Sequence, residues 1–142
     1  MNNHMELTFA AIAENEAFAR MVISAFLVQA NPTLTVVSEV RTAVSEAVTN
    51  AVVHAYDEPG GRVVMRATLC SNRVEVEIED FGRGIPDIEQ AMQPFFTSQP
   101  DGERTGMGFA LMQSFMDDVT VHSAPGSGTV VRLSKSLCES PA

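Results

Sequence analysis

The spacing of apolar residues divides the chain into strand-like and helical stretches. Residues 5–11 alternate loosely and predict an edge strand. Over 14–29 the apolar residues Ala17, Phe18, Met21, Val22, Ala25 and Phe26 recur at helical spacing, and Asn31 and Pro32 stop the helix. A longer helix is predicted over 33–56, with a stripe of Leu34, Val37, Val40, Val44, Ala47, Val48, Ala51 and Val52. Asp57, Glu58, Pro59, Gly60 and Gly61 end it. Two strands follow at 63–69 and 74–80, joined by a hairpin turn over 70–73. In the second, Val74, Val76 and Ile78 alternate with Glu75, Glu77 and Glu79, so aliphatics face the core and carboxylates face solvent.

Beyond Asp80 the pattern loosens. Residues 82–86 form a loop, 87–92 one or two helical turns, and 94–105 a long polar stretch with a Phe95, Phe96 pair. A helix is predicted over 106–117 and strands over 119–122 and 129–133, with a turn at Pro125, Gly126, Ser127 and Gly128. Hairpin-joined strands and three long helices predict an α+β two-layer sandwich: a mixed, largely antiparallel sheet covered by helices on one face.

Composition narrows the class. The 142 residues suit one domain, and the 45% hydrophobic content suits a globular chain rather than a disordered one. No apolar run reaches the roughly 20 residues needed to cross a bilayer. The first six residues lack the basic and apolar regions of a signal peptide. A cytoplasmic chain with no membrane partner is therefore expected. Cys70 and Cys138 lack metal-site spacing, and reduced thiols are the default expectation. A net charge of −9 argues against direct nucleic-acid binding and favours solubility or a basic partner surface. His4 and His122 are expected to be structural or solvated. Met107, Met112 and Met116 are expected to be core filler.

Three constellations offer chemistry. Glu46 and Asn50 stand four apart on one helix face, with His54 one turn on. A carboxylate can act as a base and an amide oxygen can bind Mg²⁺, although a solvated polar stripe explains most such pairs. Asp80 ends a strand before Gly82 and Gly84, which suits either backbone approach to a ligand or a plain turn. Gly106, Met107 and Gly108 open a helix, where backbone N–H groups favour phosphate. No Walker lysine follows, so this is not a P-loop.

The order of the three is far more specific than any one of them. It resembles the ATP-binding superfamily that contains gyrase, Hsp90, histidine kinases and MutL. Residues 46–51 look like its N box, 80–84 like its first glycine box, 106–108 like its second, and the loop between like its ATP lid. Residues 45–51 with His54, together with 14–20, 84–89 and 103–109, closely resemble the anti-sigma serine kinases of spore-forming bacteria. The likeness runs over almost the whole chain.

That resemblance implies a single ATP-binding kinase domain over 1–142, with ATP and Mg²⁺ as cofactors. Glu46 would be the general base and Asn50 the Mg²⁺ ligand. Asp80 would read the adenine amino group, Gly82 and Gly84 would shape the adenine pocket, and Thr129, after Gly128 at a strand start, would add a second adenine contact. Gly106, Met107 and Gly108, with Thr97 and Thr105, would hold the phosphates, and Arg104 would stand near the γ-phosphate. Arg20 falls on a position used for partner contact. The implied partners are a sigma factor, an anti-anti-sigma substrate and a second copy in a homodimer built through the first strand and helix. One departure is Gln99, where relatives often carry a lysine in the lid; Arg104 is left to supply the charge nearly alone. The second glycine box also lacks a third glycine. Three functions compete: a serine kinase that sequesters a sigma factor of sporulation or of the stress response, an anti-sigma module with structural nucleotide, and the detached ATP-binding domain of a histidine kinase.

Overall fold

The computed structural model describes residues 2–92 and 108–138. The elements run β1 (Asn3–Ala10), α1 (Glu14–Val28), α2 (Leu34–His54), β2 (Arg62–Cys70), β3 (Arg73–Asp80), α3 (Ile88–Ala91), α4 (Gly108–Phe115), β4 (Asp118–Ser123) and β5 (Thr129–Ser136). The five strands make one sheet in the order β1-β2-β3-β5-β4, and every neighbouring pair is antiparallel. α1 and α4 both pack on α2, and α2 in turn meets β3 and β5.

Local chemistry sets the boundaries. Asn31 takes a positive φ of 52° just after α1, and Pro32 prevents continuation. Thr33 then caps α2 by accepting the Val36 N–H at 3.2 Å. Ser71 and Asn72 both have positive φ, 51° and 63°, as a tight right-twisted hairpin between β2 and β3 requires.

The core lies between the helices and one face of the sheet. Ile23 and Leu27 of α1, Val40, Val44 and Val48 of α2, and Met112 of α4 are fully buried against Met65, Val76 and Leu133. Met112 and Met116 are core residues, as their spacing predicts. His122 is exposed, and Cys70 and Cys138 are exposed free thiols. The other sheet face carries Glu75, Glu77 and Glu79, as the alternation predicts. Arginines from neighbouring strands pair with them: Arg66 reaches Glu79 at 2.9 Å and Arg132 reaches Glu77 at 2.6 Å. Such exposed pairs hold little stability each. They do keep the acidic net charge from accumulating on this face.

Several boundaries differ from the sequence expectation, and three show why. β1 begins two residues earlier than predicted, because Asn3 and His4 still pair with Leu69 and Thr68. β5 runs three residues further, paired with β3 as far as Ser136. α4 ends at Phe115, two residues earlier than predicted. Its last turn gives way when the Asp117 N–H bonds the Ser134 carbonyl and the chain enters the sheet. No helix among the described residues is long and apolar enough to cross a membrane.

Candidate functional site

A cavity of about 340 Å³ opens between α2, the end of β3, the start of β5 and α4. Its walls include Ala47, Ala51, Ile78, Ile85, Phe109 and Val131, and its polar lining includes Asn50, His54, Asp80, Arg83 and Thr129. An apolar slot with a few convergent polar groups is the usual form of a small-molecule site.

Asp80 anchors one end. It is the last residue of β3 and pairs in register with Thr129, the first of β5. Both are buried, at 7% exposure each, and they are the only buried polar side chains among the described residues. The Gly82 N–H donates to Asp80 Oδ1 at 3.0 Å. Burial pushes the Asp80 carboxyl above the ordinary carboxylate range, opposed by backbone N–H bonds from Gly82 and Thr129. A carboxylate has about four acceptor sites, so capacity remains for a ligand.

The loop after Asp80 is clamped on both sides. The Arg83 N–H donates to the Ala55 carbonyl at 2.8 Å, tying the loop to the end of α2. The Gly126 N–H donates to the Arg83 carbonyl at 2.7 Å, tying it to the β4–β5 turn. The Phe81 N–H donates to the Tyr56 hydroxyl at 2.8 Å. Gly84 has φ 77°, and a Cβ there would lie 2.1 Å from the Ala124 carbonyl oxygen. Gly128 has φ 79°, and its Cβ would lie 2.2 Å from the Asp80 carbonyl oxygen. Neither position admits a side chain without moving backbone.

The helix side of the site is simpler. Asn50 projects from α2 into the cavity, and Gly108 lines it at the start of α4. Glu46, one turn earlier on α2, is half-buried and is not among the described lining residues. Arg20 lies on the exposed side of α1, 3.8 Å from Glu16, and Glu16 accepts a hydrogen bond from Ser45, beside Glu46. Asn50, Asp80, Gly84, Gly108 and Thr129 are thus brought to one cavity. Gly82 supports it through Asp80, and Arg20 lies elsewhere. Thr97, Arg104, Thr105, Gly106 and Met107, with Gln99, lie outside the described residues.

Sequence reasoning missed Arg83 in the lining. It stands inside the 80–84 loop and is paired with the exposed Asp57 at 2.6 Å. It also missed Ser123, which bonds to Ile85, just past the 80–84 loop, and to the β5 start. No local signal marks either residue.

This arrangement suits a small-molecule ligand, and comparison with known proteins shows a domain of the ATPase class. Residues 9–135 match the histidine kinase-like ATPase domain family. The chain is 49% identical over 134 residues to the anti-sigma F factor of Caldanaerobacter subterraneus, covering 94% of each. It is 48% identical to the anti-sigma F factor of Bacillus subtilis, covering all of this chain and 98% of the relative. Among solved structures, the RsbU and RsbW domains of a Mycobacterium tuberculosis protein superpose with a TM-score of 0.71 at 20% identity, covering 95% of this chain and 32% of that one. The histidine kinase domain of a blue-light-activated kinase from Erythrobacter litoralis superposes with a TM-score of 0.53 at 29% identity, covering 72% of this chain and 45% of that one. The chain belongs to the histidine kinase-like ATPase family, and within it to the anti-sigma F factors.

Proposed function

We propose that the protein is an ATP-dependent serine kinase that phosphorylates an anti-anti-sigma factor, and that it binds and inhibits the sporulation sigma factor, sigma F, keeping it from RNA polymerase. The observation that carries this reading is the convergence of Asn50, Asp80, Gly108 and Thr129 on one cavity, in a chain matched over its whole length by anti-sigma F factors.

The residues fit ATP. An apolar slot between Ala51, Ile78 and Val131 suits a flat base, and Asp80 offers acceptors at its end. The fit to Mg²⁺ depends on the nucleotide. No group of three or more His, Cys, Asp or Glu among the described residues can hold a metal alone. Asn50 would hold Mg²⁺ together with the phosphates, as is usual for this ion. Bound there, the ion supplies charge neutralisation for phosphoryl transfer.

Each protein group then has a task. Asp80 and Thr129 hold the adenine end, and Gly82 and Gly84 let the backbone close around it. Gly106, Met107 and Gly108 hold the phosphates with backbone N–H groups, aided by Thr97 and Thr105. Glu46 accepts the proton of the incoming serine hydroxyl, and its place one turn from Asn50 supports that role. Arg104 brings positive charge to the γ-phosphate. Arg20 contacts the partner. A homodimer through β1 and α1 is supported by the edge position of β1 and by the exposed Phe18, Met21 and Val28 of α1.

The test is incubation with γ-labelled ATP, Mg²⁺ and an anti-anti-sigma protein. Acid-stable label on a serine is expected. An acid-labile product, or none, sinks the kinase half. ATP-dependent co-purification with sigma F is expected as well, and its absence in every nucleotide state sinks the regulatory half.

A further inference from the structure

The half-buried Ser123 closes β4 and meets three groups. Its Oγ lies 2.7 Å from the Ile85 nitrogen, 2.9 Å from the Gly128 carbonyl oxygen and 2.8 Å from Thr129 Oγ1. A hydroxyl has one proton and two lone pairs. A backbone N–H can only donate and a carbonyl can only accept. Ser123 therefore accepts from Ile85 and gives its one proton to Gly128. The third contact must be donated by Thr129.

That leaves the Thr129 hydroxyl with no proton to offer the cavity. It presents lone pairs alone. Asp80, its register partner across β3 and β5, is likewise an acceptor when ionised. Two acceptors side by side suit a group with two N–H bonds, such as an amine on an aromatic ring. A ring keto oxygen at the same place would face lone pairs on both.

We infer that Ser123 is a positioning residue for base selection: by taking the Thr129 proton it makes the site prefer an amino-bearing purine to a keto-bearing one. The inference rests on the ATP reading above. Ser123 touches no base itself, since it is not among the lining residues of the cavity.

The test compares Mg²⁺-dependent binding of ATP and of inosine triphosphate, which carries a keto oxygen in place of the amine. The wild-type protein is expected to prefer ATP by roughly ten- to a hundredfold. Ser123→Ala frees the Thr129 proton to rotate toward the ligand. The preference should then shrink by at least about fivefold, through tighter inosine triphosphate binding. A merely structural loss would weaken both nucleotides together. Ser123→Thr, which keeps the hydroxyl, should restore the wild-type ratio, and Thr129→Val should lose ATP affinity with no gain for inosine triphosphate. A folded Ser123→Ala protein with an unchanged ratio overturns the assignment while leaving ATP binding intact. Should that variant not fold, Ser123→Cys is read in the same way, because a thiol is a weak donor and acceptor. A wild-type protein that binds neither nucleotide overturns the ATP reading and this inference together.

Discussion

At one end of the cavity Asp80, Gly82, Gly84, Gly128 and Thr129 hold one another; at the other, Asn50 projects from a helix that would form without it, with Glu46 one turn earlier on that helix. The Asp80 end is backbone. Three loops meet there through amide and carbonyl groups, and Gly82, Gly84 and Gly128, whose Cβ atoms would strike carbonyl oxygens, are part of the packing. The α2 end is side chain. Val40, Val44, Ala47, Val48 and Ala51 bury the helix against the core whatever stands at 46 and 50. Changes at the first end should therefore alter both stability and base binding. Changes at the second should move chemistry alone.

The largest expected effect tests the second half of that contrast. Glu46→Gln keeps shape and helix propensity and removes the proton acceptor. Phosphoryl transfer should fall roughly 10²–10⁴-fold, as is typical for loss of a general base. ATP affinity and the melting temperature should stay at wild-type values. Single-turnover transfer, nucleotide titration and thermal melts check this on one preparation. A wild-type transfer rate would remove the base role from Glu46. A large fall in melting temperature would show that the α2 end is structural after all.

The next effect probes the Asp80 end with an internal control. Gly126 and Gly128 sit in one turn with nearly equal φ, 78° and 79°. A Cβ at Gly126 meets nothing within 4 Å, whereas one at Gly128 strikes the Asp80 carbonyl. Both alanine variants incur the left-handed backbone cost, about 1–2 kcal/mol. Gly128→Ala adds overpacking of about 1–3 kcal/mol. Denaturant melts should separate the two, and only Gly128→Ala should also weaken ATP binding. Equal losses would mean that the turn does not clamp Asp80.

The same contrast explains what the sequence reveals. Helix and strand order is legible because apolar residues recur with periods near 3.6 and 2, and because Asn31, Pro32, Ser71 and Asn72 carry their own turn chemistry. Asn50 and Asp80 are legible as a pair only through the order of motifs, since each alone has a bland explanation. Ser123 and Arg83 are not legible at all. Their roles depend on the β3–β5 register and on the meeting of the 80–84 loop with the 124–128 turn, which lie some forty positions apart in the chain. The arginine partners of Glu77 and Glu79 are hidden for the same reason: alternation gives the face of a residue and not its neighbour on the next strand.

The smallest expected effect has the most specific signature, because binding and stability should move in opposite directions. Burial raises the Asp80 pKa in the folded state above its unfolded value. The protonated form is therefore favoured by folding. That contribution is complete below the ordinary carboxyl pKa and is lost as pH rises through the folded value. At neutral pH the wild-type protein holds a buried carboxylate at a cost that Asp80→Asn removes. The asparagine oxygen can still accept the Gly82 N–H, so the loop should keep its shape. The variant should melt at or above the wild-type temperature at pH 7, with the difference closing as pH falls toward the carboxyl range. ATP affinity should drop roughly ten- to a hundredfold, the scale of a lost hydrogen bond to a charged acceptor. Melting temperatures across pH 4–8, with nucleotide titrations at pH 7, check both halves. A variant that loses stability at neutral pH would show that the Asp80 charge serves the fold rather than the ligand.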